Sequence, residues 1–411
     1  MEDTSLYARL LGICSPWEVI SVALDEDKQE VLVRAELDHL AELLCPVCSG
    51  VSPRYDPGEE RRWRHLDSCG FKTYLLARVP RVKCNIHGVR TLAAPWSMPR
   101  SRFTLDFECL AIRVLLAVKS QRRAARLLCL SPGQVHDIMH RAVRRGLESR
   151  KSAPMQHLST DEKSYAGQGA YASVLTDLDA GRVLDLCPER TSAAVEELIR
   201  ASLSPEQMKA VRSVTMDMWD GYVKAVRLVL EDADIVFDRF HVAMYLNDAV
   251  DKTRIAEHKR LKSSGDQRLR GSKFFWVKRP ENLHPKQIER YGELRQASLE
   301  TAKAWTLKET FRSFFCLSSP EEGHPFFDQW QLDVSESGNR YMLKVSKMLR
   351  RYFYGLVNFI KHRKTNSAAE GVNSRIQEIK FAARGFRRFD AFRIAVLFFL
   401  GKLDLYPHKT S

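Results

Sequence analysis

The chain alternates between three kinds of hydrophobic pattern. Residues 17–24 and 29–37 are β-branched and aromatic runs on either side of the acidic turn Asp25-Glu26-Asp27, which predicts a hairpin. Residues 45–87 follow as a compact, basic, cysteine-bearing module. From 103 to 150 the pattern is helical and holds a single proline, Pro132. Short strands are then predicted at 157–165, 171–177 and 182–187, divided by Gly167 and Gly169 and by the turn Asp179-Ala180-Gly181. A helix at 191–202, a strand at 211–217, a helix from Asp220 and a strand from Ala233 to Asp238 complete a mixed α/β segment. Residues 241–365 read as charged and aromatic helix with a break at 318–325, and 366–403 as two helices divided by Gly385.

Composition narrows this to a globular protein: 44% of the 411 residues are hydrophobic and 28% charged. The longest apolar run, Ala395 to Leu400, is far short of the ~20 residues that span a bilayer, so no membrane partner is expected. The opening Met1-Glu2-Asp3-Thr4 has no signal-peptide character, and a cytoplasmic protein is expected. The formal net charge of +14 is concentrated. Residues 100–154 hold 12 Lys/Arg against 4 Asp/Glu, and residues 361–411 hold 11 against 4, so the remainder is nearly neutral. Two basic segments carrying the whole excess point to a polyanionic partner, against the ordinary reading of a solvated face.

Nine cysteines in a chain of this length are expected to be reduced. Cys14, Cys109, Cys187 and Cys316 read as core packing. Cys45-Pro-Val-Cys48 and Cys84-Asn-Ile-His87 differ, because a two-residue spacer lets both members of a pair face one ion. Cys45, Cys48, Cys84 and His87 are therefore the expected ligands of a structural zinc, with Cys69 in reserve. Between the pairs, Arg61, Arg62, Arg64, Lys72, Arg78, Arg81 and Lys83 interleave with Trp63, Phe71 and Tyr74, and Arg62, Arg64 and Arg81 are the expected phosphate contacts.

A helix-turn-helix is predicted around Ser131. Ala124, Leu127, Leu128 and Leu130 precede the turn, and Val135, Ile138, Met139 and Ala142 continue at helical spacing. Ser131 is suited to cap the second helix, with Pro132 at its first position. Gln134, His136, His140, Arg141 and Arg144 would then project toward a major groove.

Asp161 and Asp217 each fall at a predicted strand end, where the ordinary role of an aspartate is a turn or cap. Glu370 falls on a predicted helix whose Asn366, Glu370, Asn373 and Gln377 share one face. Glu162 and Asp220 read as facing away or capping, and Asp177, Asp179 and Asp185 as solvated. Asp238-Arg-Phe-His241 follows a strand, and Arg239 and His241 are candidates for contact with DNA or a scissile phosphate.

Cys45-Pro-Val-Cys48, Ala77-Arg-Val-Pro-Arg-Val-Lys-Cys84, Thr160-Asp-Glu-Lys163, Met216-Asp-Met-Trp-Asp-Gly-Tyr222, Phe237-Asp-Arg-Phe-His-Val242 and Asn366-Ser-Ala-Ala-Glu370-Gly-Val-Asn373 stand in order along the chain. With them the chain resembles the ISL-three family of bacterial insertion-sequence transposases over essentially its whole length. The resemblance implies a ribonuclease-H-like α/β catalytic core with the DDE triad Asp161, Asp217 and Glu370. It implies two magnesium ions at that triad, with manganese able to substitute. His87 stands where the family often has Cys. The resulting expectation is a multidomain α+β protein. It has an N-terminal hairpin and zinc-binding module at 1–98 and a helix-turn-helix domain at 99–152. A first part of the core at 153–244, a mainly helical insertion at 245–360 and the final core helices at 361–411 follow.

The expected function is a DNA transposase that binds double-stranded DNA, both terminal inverted repeats and target, as a homodimer or larger oligomer. Arg375 and Lys380 on the last helices are added as DNA contacts. A zinc-dependent helix-turn-helix transcription regulator shares the first 150 residues of this argument but leaves the three acidic motifs unused. A tyrosine recombinase has only His362-Arg363 in its favour.

Overall fold

A computed structural model of the chain describes residues 3–407 apart from 168, 279–283, 298 and 364–366; the side chains of 286 and 367–370 also lie outside the described residues. The chain divides into two units. The first comprises residues 1–150 with 381–384 and 397–411, and the second comprises 151–380 with 385–396.

The first unit begins with helix α1 (Asp3–Leu11) and the predicted hairpin, β1 (Trp17–Asp25) and β2 (Glu30–Leu37). Five short strands follow: β3 (Arg54–Asp56), β4 (Glu60–Arg64), β5 (Lys72–Arg78), β6 (Arg81–Cys84) and β7 (Gly88–Thr91). They form a sheet β1-β2-β5-β4 and a smaller sheet β3-β6-β7. β2 and β5 alternate half-buried and buried residues, and Val33, Ala35, Leu75 and Ala77 point into the core. Edge-on indole contacts of Trp96 with Trp17 at 4.7 Å and Trp63 at 5.5 Å close that core.

Helices α2 (Leu105–Val118), α3 (Gln121–Leu127) and α4 (Pro132–Glu148) follow in the first unit. Ser131 caps α4 as expected, in a capping box where Gln134 answers with its side chain to the Ser131 N–H. Val135, Ile138, Met139, Ala142 and Val143 are buried on one face of α4. Leu127, expected on the apolar face of α3, is 66% exposed, and Leu128 is buried in its place.

The second unit holds a five-stranded mixed sheet built from β8 (His157–Ser164), β9 (Tyr171–Asp177), β10 (Arg182–Cys187), β11 (Ser213–Met216) and β12 (Asp234–Phe237), in the order β10-β9-β8-β11-β12. β8, β11 and β12 are mutually parallel, whereas β9 runs antiparallel to both β8 and β10. β11 is buried along its length and β9 almost so, as expected of strands covered on both faces. Helices α5 (Ser192–Ser202), α6 (Pro205–Ala210) and α7 (Asp220–Val229) connect β10, β11 and β12.

A long helix, α8 (Arg239–Ser263), leads from β12 into the helical region: α9 (Lys273–Val277), α10 (Pro285–Gln296), α11 (Glu300–Arg312), α12 (Gly323–Glu336), α13 (Arg340–Arg351) and α14 (Phe353–His362). Its buried residues Val242, Leu246, Ala249, Val250, Thr253 and Glu257 recur at three- and four-residue spacing. Buried Glu257 accepts from the backbone N–H groups of Glu300 and Thr301 at 2.9 and 2.8 Å, which joins α8 to the positive end of α11. Gly355 of α14 lies against the Phe237 ring, and a Cβ there would overlap that ring.

The last helices are α15 (Ser367–Ala383) and α16 (Phe389–Leu400). Lys380 donates to the Ser164 carbonyl, and Arg393 pairs with Asp185 through two contacts of 2.6 Å. Of the hairpin acids expected to be solvated, Asp179 is exposed, whereas Asp177 is buried and Asp185 half-buried against arginine partners. Asp177 is 2% exposed and holds Arg182 at 3.0 Å, and Asp179 accepts from the His157 N–H at 3.2 Å. Cys14 and Cys316 are likewise exposed rather than packed in a core. Among the described residues no helix is long and apolar enough to cross a membrane.

Candidate functional site

Four donors converge near the start of the chain. The Cys45-to-Cys48 turn closes on itself, with the Cys45 N–H bonded to the Gly50 carbonyl and the Ser49 N–H to the Cys45 carbonyl. The β6–β7 hairpin supplies the other half, with Gly88 at φ +67 just past His87. One ligand atom from each of Cys45, Cys48, Cys84 and His87 lies within 4.8 Å of every other. Cys48 Sγ is 3.7 Å from Cys84 Sγ, and His87 Nδ1 is 3.6 Å from Cys84 Sγ and 3.8 Å from Cys45 Sγ. A tetrahedron with zinc–sulfur bonds of about 2.3 Å has edges of nearly that length, so the four residues fit a structural zinc. The backbone N–H groups of His87 and Ile86 lower the Cys84 thiol to about 6, which favours the ligating thiolate. Cys69 is exposed and stands outside this group.

The expected DNA contacts separate into two sets. Arg64 is buried, pairs with Asp67 and donates to the His65 carbonyl at 2.9 Å. Arg141 reaches fully buried Glu108 at 2.5 Å, and the Gln134 side chain caps α4. These internal partners weigh against Arg64, Arg141 and Gln134 reading DNA through free side chains. His140 and Arg144 are exposed and His136 is half-buried. Arg62 lies over the Tyr74 ring and pairs with Glu30 at 2.7 Å, and Arg81 pairs with Asp56. A cleft of about 520 Å³ in the first unit is lined by Arg61, Arg62, Arg64, Arg100, Arg102 and Gln134 among others. In the second unit Arg239 and Arg375 are exposed, whereas Lys380 is bonded to the Ser164 carbonyl.

The acidic residues of the second unit come together through sheet register. β8 and β11 are parallel with Ser213 opposite His157, Val214 opposite Leu158 and Thr215 opposite Ser159. Carried forward two residues, that register sets Asp217 level with Asp161, on strands spaced by roughly 4.8 Å. Asp217 directly follows the last residue of β11, as expected. Asp161 does not end its strand: β8 continues to Ser164 because it still pairs with β9 there.

Each carboxylate has basic or amide company. Asp161 Oδ2 lies 2.8 Å from Lys163 Nζ and accepts from Asn373 Nδ2 at 2.7 Å. Asp217 Oδ1 lies 2.6 Å from His241 Nδ1. Burial alone would lower the His241 pKa, but Asp217, with Asp238 and Asp161 beyond it, carries it net upward. Asp238 is buried and caps α8 through the Phe240 N–H at 2.9 Å. Glu370 stands on α15 three residues before Asn373, and its side chain lies outside the described residues. Glu162 turns to Arg190 at 3.0 Å and Asp220 to Arg351 at 2.6 Å, consistent with acids that face elsewhere.

Two neighbours of the acids received no role from the sequence: Lys163 and Asn373. Lys163 is two residues from Asp161 on one strand, so strand alternation alone places them on one face. Asn373 had only its polar helix face to mark it.

Two paired half-sites for zinc, a basic first unit and level carboxylates on adjacent strands are the parts of an enzyme that works on DNA. Residues 158–396 match the model of an ISL3 transposase family, and residues 42–87 match that of the zinc-finger of transposases IS204, IS1001, IS1096 and IS1165. The chain belongs to the ISL3 family of transposases, which are DNA-cleaving and DNA-transferring enzymes. It is 24% identical to the transposase for insertion sequence element IS1557 of Mycobacterium tuberculosis, with 100% of this chain and 97% of that one covered. It is 23% identical to the transposase for insertion sequence element IS1001 of Bordetella parapertussis, with 86% and 88% covered. A regulator without catalysis is not favoured by these matches.

Proposed function

We propose that this transposase moves an insertion sequence by cutting and joining DNA at a DDE triad of Asp161, Asp217 and Glu370. The core would be ribonuclease-H-like, at 153–244 and 361–411, with 245–360 as a helical insertion. The observation that carries this reading is the parallel register that sets Asp217 level with Asp161. Asn373, one helical turn from Glu370, reaches the same Asp161 carboxylate, which supports α15 as the source of the third acid.

Carboxylate oxygens are the hard donors magnesium prefers, so the three acids suit two magnesium ions, with manganese able to replace them. Such ions, when bound, activate the attacking oxygen and stabilise the leaving one. The chain's own groups do the rest. Asn373 orients the Asp161 carboxylate, and His241 and Lys163 offset the charge of the paired acids. Hydrolysis of one strand at each element end would free a 3′-OH, which would attack target DNA directly without a covalent enzyme intermediate.

The arginine-lined cleft of the first unit supports DNA binding there, with the zinc module at 1–98 and a helix-turn-helix at 99–152 reading the terminal inverted repeats. Exposed His140 and Arg144 on α4, and Arg239 and Arg375 in the core, remain suited to contact DNA. Pairing two ends requires at least a dimer on DNA. The test is cleavage of duplexes carrying the element's terminal repeats with magnesium. Asp161→Ala and Asp217→Ala should each abolish cleavage while gel-shift affinity persists. Wild-type cleavage by Asp217→Ala would overturn the assignment.

A further inference from the structure

We propose that a cleft bounded by α8, α9 and α11 holds an unstacked nucleotide of a DNA strand beside the acidic site. The cavity measures about 390 Å³, within the ~300–1,000 Å³ range of small-ligand pockets. It suits a nucleotide, not a duplex.

Its chemistry is that of a single-strand site. Arg239, Phe240, Lys278, Lys308, Arg312 and Phe315 all line it. Among the described residues Glu309 is the one acid of the lining, and it is already paired with Arg312 and with Lys308 at 3.1 Å. The wall therefore carries a clear positive excess that a phosphate would answer. Lys308 is 4% exposed, and its Nζ donates to the Trp276 carbonyl at 2.7 Å. An ammonium has three N–H groups, and beyond Glu309 and that carbonyl the third has no acceptor among the described residues. Phe240 is 59% exposed, which water disfavours and a base would relieve by stacking. Every base has a π face, so phenylalanine with arginine binds a strand without reading its sequence.

Position links the cleft to the chemistry. Phe240 is the residue before His241, with the two rings 5.7 Å apart, and His241 lies 2.6 Å from Asp217. A nucleotide in the cleft would hold its strand out of the helix next to the carboxylates. The inference rests on the catalytic reading of Asp161 and Asp217.

The probe is a duplex with a short single-stranded gap carrying 2-aminopurine, bound by the full chain, against the same duplex without a gap. Wild type should bind the gapped duplex more tightly and change the 2-aminopurine fluorescence. Phe240→Ala should lose that change and weaken gapped binding about tenfold, with intact-duplex affinity retained and Phe240→Trp restoring both. Arg312→Ala should weaken gapped binding alone. Equal affinity for both duplexes without a fluorescence response, or an unaltered response in Phe240→Ala, overturns the proposal. Asp217→Ala separates the two readings: it should abolish cleavage yet keep the response. Cleavage by that variant would sink the triad and leave the cleft to stand on fluorescence.

Discussion

Asn373 donates from its side-chain amide to Asp161 Oδ2 at 2.7 Å, which ties helix α15 to strand β8 across 212 residues of sequence. The bond fixes one carboxylate oxygen and brings the helix that carries Glu370 against the sheet. Asn373→Ala should lower magnesium-dependent cleavage about 10–100-fold, the usual cost of losing a group that orients a ligand. Titration of cleavage against magnesium should shift its midpoint to higher concentration, with DNA affinity unchanged. Unaltered cleavage would mean the bond is only structural.

The zinc prediction concerns folding rather than chemistry. One zinc per chain is expected by elemental analysis, and Cys48→Ala or Cys84→Ala should remove it. Structural zinc carries roughly 10 kcal/mol or more of apparent binding energy, so the ribbon should unfold without it. Strong chelators should abolish DNA binding by the wild type as well. A variant that retains stoichiometric zinc would strike Cys48 or Cys84 from the ligand set.

Glu108 is fully buried and holds Arg141 and the Ser101 hydroxyl, the latter at 2.8 Å. Glu108→Ala would leave a partly buried guanidinium unpaired and should cost about 3–5 kcal/mol, read from denaturant unfolding of the full chain. Replacing both partners with apolar residues should recover most of that loss. Equal loss in single and double variants would show that packing, not the pair, matters.

Asp234 begins β12 and meets Lys361 Nζ and His362 Nε2, each at 2.7 Å. Burial pushes its carboxyl pKa up, but the two bases outweigh this and hold it below the usual value. A lowered folded pKa stabilises above the unfolded value, and that stabilisation is lost as pH falls through the folded one. Asp234→Asn should therefore cost on the order of 1 kcal/mol at neutral pH and progressively less in acid. Identical pH–stability profiles for variant and wild type would contradict this.

Much of the local structure was legible in the sequence. Ser131 capping α4, Pro132 opening it and the hairpin around Asp25 all depend on contacts within a few residues. The zinc half-sites were legible for the same reason, since each pair sits on a single tight turn. The short strands β3, β6 and β7 and helix α6 were not separately foreseen, because each is too brief to show a period.

The fates of the basic side chains were less legible. Arg62 and Arg64 share a strand and a composition, yet Arg62 is on the surface and Arg64 is enclosed with Asp67, His65 and the Phe107 ring. Both reach the Tyr74 ring from one face of the strand, and charge alone carries no record of which part of that face is covered. The hairpin acids Asp177 and Asp185 looked solvated for the same reason, and their partners became visible only once β10 paired with β9 to bring Arg182 and α16 brought Arg393.

The sequence by itself determined the zinc ligand spacing, the capped helix α4, the run of short strands and the concentration of positive charge. Tertiary structure decided which acids meet. The parallel register of β8 and β11, carried two residues past Thr215, brings Asp217 level with Asp161, and Asn373 reaches Asp161 because α15 packs on that sheet. A turn or cap is chosen by neighbours along the chain, whereas register is chosen by burial of both strand faces, a sum over contacts from distant segments.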